Sequence, residues 1–137
     1  MSGPAEVRAL LERDRFAAEN GIVLVDVSPG VAVTRMEVGQ RHLNGAGVVQ
    51  GGAIFTLADY AFAAASNSRG KLALATDVHI SFMRAVRTGA VLTAEAREES
   101  SSRALSRCQV RVTDQEGALV ALFVGTAFRK SDPVPLP

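Results

Sequence analysis

Between Arg41 and Arg69 the chain has no lysine or arginine, and within that stretch Gly52 to Asn67 reads as a helix. Its Ile54, Phe55, Leu57, Ala58, Ala61, Phe62 and Ala65 cover nearly the whole circumference, and a helix that is apolar all round has to be enclosed by other structure. The rest of the chain must therefore supply a wrapping.

Strands are the available material. Ile22 to Val27 and Val31 to Val38 are β-branched runs separated by Ser28-Pro29-Gly30, the pattern of a hairpin. After Gly70 come four alternating segments, Leu72 to Met83, Val91 to Glu98, Ala104 to Thr113 and Ala118 to Phe128. Their turns are marked by Arg87-Thr88-Gly89, Ser100-Ser101-Ser102 and Asp114-Gln115-Glu116-Gly117. In the first segment Leu72, Leu74, Thr76, Val78, Ile80 and Phe82 are expected on one face, and Asp77, His79 and Ser81 on the other. Pro4 to Glu19, with Val7, Leu10 and Leu11 in a stripe, predicts an amphipathic N-terminal helix, and Gly39 to Gln50 a loop. The expected class is α+β, an antiparallel sheet of about six strands wrapped around the central helix, plus the N-terminal helix. Residues 1–130 make one domain, and the Pro-rich tail 131–137 is expected to be disordered. Such a sheet leaves edges open and its helix incompletely covered, so a homodimer is expected.

Charge and cysteine content narrow the function classes. Lys and Arg number 15 against 14 Asp and Glu, a net charge of +1, which argues against a general nucleic-acid binder. Cys108 is the single cysteine, and Glu6, Arg8, Glu12, Arg13, Asp14 and Arg15 break up any signal-peptide core, so a soluble cytoplasmic protein is expected. No apolar run reaches the roughly 20 residues that span a bilayer, and the longest, Gly52 to Ala65, contains Asp59.

Asp59 is costly in the middle of that helix unless hydrogen bonds, a partner chain or water compensate for its charge. Either it reaches the helix surface or takes a backbone partner, or it is a general base or nucleophile beside a pocket. Gln50-Gly51-Gly52 at the helix start is either a simple turn or a site where free N–H groups meet a substrate oxygen. The two features lie about 11 to 12 Å apart at 1.5 Å per residue, too far to act on one carbonyl within one chain. Two copies related by a two-fold axis remove that difficulty.

Asn44-Gly45, then Gln50-Gly51-Gly52-Ala53-Ile54-Phe55-Thr56-Leu57-Ala58-Asp59, Ala61-Phe62-Ala63 and Ser66-Asn67-Ser68 resemble the signature of PaaI-like hotdog-fold acyl-CoA thioesterases. In that signature an Asn precedes His-Gly-Gly by six positions, and Leu-Ala-Asp follows in the central helix. The similarity continues through Asp77 to Arg84 and Ala121 to Gly125. It implies a hotdog fold, a homodimer or homotetramer, no cofactor or metal, and hydrolysis of a small aryl- or medium-chain acyl-CoA to free acid and CoA. By the resemblance Asp59 activates water or attacks the thioester, the Gly51 N–H polarises the carbonyl, and Asn44 orients the water or the carboxylate. Gln50 stands where the family has His; an amide donates a hydrogen bond but does not take up a proton at neutral pH. Gly52, Arg84 and Arg103 are the substrate-binding residues so implied, the arginines for CoA phosphates. The alternative is a non-catalytic acyl-CoA-binding hotdog protein.

A few residues are set apart. Many relatives place Ser or Thr where Ala75 stands, and strand alternation directs the adjacent Thr76 to the opposite face. Arg87 is a further basic residue at the same strand end, and Phe55, Tyr60, Phe62 and Phe82 are either core or pocket lining. His42 reads as a solvated loop residue, Asp77 and His79 as surface residues, and Cys108 as a small buried side chain. A hydratase is disfavoured because neither histidine falls in a matching motif.

Overall fold

The computed structural model describes residues 4–135. Its strands are β1 (Ile22–Ser28), β2 (Val31–Glu37), β3 (Lys71–Phe82), β4 (Val91–Ser101), β5 (Leu105–Thr113) and β6 (Leu119–Pro133). They form one antiparallel sheet in the order β1-β2-β4-β5-β6-β3, wrapped around the helix α3 (Gly51–Asn67). Two short helices, α1 (Pro4–Leu11) and α2 (Arg15–Glu19), precede the sheet.

The enclosure required by α3 is met on its inner side. Leu57, Ala58, Ala61, Ala64 and Ala65 are inaccessible there, in a core shared with Met36, Leu92, Ala94, Val110 and Phe123. Alanines let the sheet approach closely, while each fully buried Leu or Phe contributes about 1.5–3 kcal/mol relative to exposure. Polar side chains pin the helix along its length. The Thr34 hydroxyl donates to the Leu57 carbonyl at 2.9 Å, and the Tyr60 hydroxyl to the Leu11 carbonyl at 2.6 Å. Asn67 clasps the start of β3, donating to Ala73 O at 3.1 Å and accepting the Ala73 N–H at 2.8 Å. Ser68 Oγ accepts the Gly30 N–H at 2.7 Å, tying the helix end to the β1–β2 turn.

Four expectations are corrected. The N-terminal helix is broken: Asp14 caps α2 by accepting the Ala17 N–H at 2.9 Å, because its carboxylate satisfies a helix-start donor better than a helix interior would hold it. β3 does not alternate evenly, since its pairing with β6 slips between Ala75 and Asp77. Thr76 is the extra residue of this bulge, so Ala73 faces inward before it and Val78 and Ile80 after it, and Leu74 lies outside, 53% exposed, opposite Phe128. The loop 39–50 has internal order, with a 3-10 turn at Gln40–His42 and a Leu43–Val49 bridge. Lastly, part of the expected disordered tail is built in: β6 continues to Pro133, and Val134 is buried with its N–H on Gly70 O at 3.1 Å. The remaining tail residues 136–137 lie outside the described residues.

Candidate active site

The start of α3 collects most of the predicted residues. Gln50 is its N-cap, with side-chain Oε1 accepting the Gly52 N–H at 2.7 Å. That bond occupies the Gly52 donor and fixes the amide oxygen, leaving the Gln50 NH₂ as a donor. The Gly51 N–H has no acceptor among the described residues, as is usual in a first helical turn, where no preceding carbonyl is in reach. Glycine lets Phe82 lie close here: a Cβ on Gly51 would stand 3.1 Å from Cζ of Phe82, which would have to shift by a few tenths of an ångström. Phe82, 51% exposed, forms with Val49, Ile54, Met83 and Arg84 the walls of a groove of about 380 Å³ that opens on Gly51.

Asn44 lies in the preceding loop. Its Oδ1 accepts the N–H groups of Ala46 at 2.9 Å and Val48 at 3.2 Å, which shapes the loop and leaves its NH₂ at the surface. Arg84 sits on the rim of the Gly51 groove and pairs loosely with Asp114 at 3.8 Å.

Asp59 is two turns further along α3, about 12 Å from Gly51 at 1.5 Å per residue. It is half-buried on the helix face that the sheet leaves uncovered, together with Phe55, Thr56 and Ala63. Its carboxylate accepts no hydrogen bond and makes no ion pair among the described residues. Burial, and secondarily repulsion from Asp14, raises its pKa above 3.8. The described chain therefore does not bring Asp59 and the Gly51 donor together.

Arg103 lies elsewhere, in a groove of about 550 Å³ with Lys71, Ala104, Phe128, Arg129 and Lys130. Sequence reading missed the arrangement behind it. Arg129 occupies an inward position of β6, and the Glu98 side chain, 3% exposed, accepts from Arg129 at 2.6 Å, Arg69 at 2.7 Å and Ser106 at 2.5 Å. Those partners outweigh the desolvation that opposes them and lower the Glu98 pKa. The signal was present in the sequence, since Arg129 follows Ala121, Phe123, Gly125 and Ala127 at the spacing of the core face.

Other residues separate cleanly. Tyr60 and Phe62 are core, whereas Phe55 and Phe82 remain partly open. Cys108 is fully buried, and desolvation pushes its thiol up to about 11. Asp77 and His79 are exposed on the outer face of the sheet. His42 is corrected: it is 2% exposed, with Nδ1 accepting the Gly39 N–H at 3.0 Å and Nε2 lying 2.8 Å from Asn20 O. Alternation also gives no reason to exclude Thr76, because a bulged residue belongs to neither face by parity; its hydroxyl donates to Thr126 O at 3.2 Å.

Residues 46–121 match the family model of the thioesterase superfamily. The acyl-coenzyme A thioesterase PaaI of Escherichia coli is 36% identical, over 88% of this chain and 86% of that protein. A structure of the E. coli PaaI protein from the phenylacetic acid degradation operon superposes with a TM-score of 0.92 at 34% identity, covering 96% of this chain and 95% of the other. A Streptococcus mutans protein solved bound to acetyl CoA superposes with a TM-score of 0.78 at 28% identity, over 81% and 90%.

Proposed function

The chain belongs to the thioesterase superfamily, as a hotdog-fold acyl-CoA thioesterase of the PaaI-like group, and we propose that two copies build each of its sites, Asp59 of one facing Gly51 of the other. One observation carries this reading: the Gly51 N–H and the half-buried Asp59 carboxylate have no partner among the described residues and share one helix, but stand about 12 Å apart, so each lacks its complement there. β3 supplies the means of association. It spans 12 residues and, among the described residues, pairs only with β6 and leaves its outer edge unpaired. A two-fold axis beside that edge runs the two α3 helices antiparallel and sets the start of one beside the middle of the other. Leu74, Phe128 and Leu105, cross-strand neighbours on the outer face that are each about half exposed, favour a second association into a homotetramer.

In this site the thioester carbonyl oxygen accepts the Gly51 N–H, and the Gln50 and Asn44 NH₂ groups are neutral donors to the substrate or the attacking water. Ionised Asp59 either takes a proton from water as that water adds to the carbonyl carbon, or adds to it directly. The C–S bond then breaks, the electron pair leaves on CoA sulfur, and the acyl group ends as a free acid once water is added. Thr76 supplies the strand hydroxyl for which alternation left no place. Gly52 acts through its missing side chain, since a Cβ would meet Gln50 Oε1. Arg84 at the groove rim and Arg103 with Lys71 and Lys130 provide cations for the CoA phosphates. Phe55 and Phe82 offer apolar surface for a small aryl or medium-chain acyl group, with hydrolysis taking place in the cytoplasm.

Release of CoA from a panel of acyl-CoAs, followed with a thiol reagent, tests the reading. Asp59→Asn is expected to lower kcat by about 10²–10⁴-fold. Equal, slow release by wild type and variant would overturn it, and tight ester binding without turnover in the wild type would favour a binding protein in which Gln50 marks lost catalysis. Light scattering that finds a monomer at assay concentrations would remove the shared site.

A further inference from the structure

His42 is tied to the chain at three places, its ring to Gly39 and Asn20 and its carbonyl to Gln50 at the start of α3. Its ring is nearly inaccessible, and both ring nitrogens are engaged by main-chain groups. An amide N–H can only donate, so Nδ1 accepts from Gly39; a carbonyl can only accept, so Nε2 carries the hydrogen and donates to Asn20 O at the end of α2. The His42 carbonyl in turn accepts the Gln50 N–H at 2.7 Å. Between these two residues the chain closes on itself: Leu43 bridges Val49, and the Asn44 N–H meets Val48 O at 2.7 Å. Residues 42–50 thus form a small hairpin that carries Asn44 and Gln50 and ends at Gly51. One stem is moored by the Val49 N–H on Val86 O at 2.8 Å, and the other by the imidazole of His42.

We infer that His42 is a positioning residue for the thioesterase reaction, holding the Asn44–Gly51 hairpin so that the Gly51 N–H and the Asn44 amide keep their aim. This rests on the proposed roles of Gly51 and Asn44. His42 touches no reacting atom; it fixes the angle at which the hairpin enters α3, through one specific tautomer. Small misplacements of a donor reduce the rate far more than they reduce binding of the remaining substrate.

The test measures wild type, His42→Leu, His42→Asn, His42→Gln and Asp59→Asn side by side, with thermal unfolding recorded for each. His42→Leu is expected to lower kcat about 10- to 100-fold with KM within about threefold. His42→Asn, which restores an acceptor near Nδ1, and His42→Gln, which restores a donor near Nε2, each recover part of that loss. Amide NMR signals of Gln50 and Gly51 shift in His42→Leu while those of Leu57 to Ala61 hold. Wild-type kcat in His42→Leu, or a loss matched by the fraction unfolded, overturns the assignment. Where His42→Leu yields no folded protein, the kcat and KM split is read from the two amide variants, and wild-type kcat in both overturns it equally. Retained activity in Asp59→Asn instead signals failure of the underlying site, so the two failures are distinguishable.

Discussion

Glu98 and Asp59 are both partly withdrawn from solvent, and their surroundings are opposite. The Glu98 side chain, in the sheet, is 3% exposed and answered by two guanidinium groups and a hydroxyl, so the folded chain holds it as an anion. Asp59, on α3, is partly open, yet nothing in the described chain answers it, and Asp14 makes matters worse. Burial raises the pKa of both; partners reverse that effect only for Glu98. A completed network of this kind is structural, whereas a carboxylate left without a complement is poised to act on something that arrives later.

The widest separation between the two is expected in turnover. Asp59→Asn should reduce CoA release by about 10²–10⁴-fold while the variant stays folded, and a loss below tenfold would erase the distinction. Glu98→Ala follows, with an expected cost of about 3–5 kcal/mol in unfolding free energy because it leaves Arg129 buried without its anion. Denaturant titration measures this, and a change below 1 kcal/mol would show that the network contributes little.

The pH dependence sharpens the contrast through its sign. The Glu98 pKa is lowered, so its contribution to stability is present above the ordinary value of 4.5 and lost as pH falls through the folded-state value. The Asp59 pKa is raised, so the folded state binds that proton more tightly than the unfolded one. Its contribution is present below 3.8 and lost as pH rises through the folded-state value. Asp59→Asn should therefore melt above wild type at neutral pH, and the difference should shrink on acidification; melting below wild type at pH 7 would contradict an uncompensated charge. The smallest effect belongs to Asp14→Asn, which keeps a good helix cap while removing the repulsion. Its acid limb of activity should move toward lower pH, and an unmoved limb in a pH–rate profile would show that Asp14 does not reach Asp59.

The parts of this picture that the sequence disclosed are those written as local periodicity. The apolar circumference of α3, the glycines at its start and Asp59 at its middle were all readable, and the strand limits fell within a few residues of those observed except at the end of β6. What escaped is written in the main chain or over long separations. His42 bonds to two backbone groups, which have no residue signature. Thr76 interrupts a period of two that any reader extrapolates through it. Glu98 and Arg129 are 31 residues apart and meet only once β4, β5 and β6 are assembled. Asp14 entered the sequence reading only as one of several N-terminal charges, and the stripe of Val7, Leu10 and Leu11 argued for one continuous helix where Asp14 in fact caps a second one.

The extra residue in β3 also governs which genetic changes the chain tolerates. Deleting the Thr76 codon leaves Ala75 and Asp77 as neighbours opposite Ala127 and Thr126, so the strand regains an even period of two with the same residues inward, whereas inserting a codon there adds a second unmatched residue. An insertion that the bulge does not absorb either drives Leu74 into the interior in place of Ala73 or puts Asp77 and His79 in place of Val78 and Ile80. As far as strand pairing goes, descent in this lineage is thus expected to tolerate loss of a residue at the bulge more readily than gain of one.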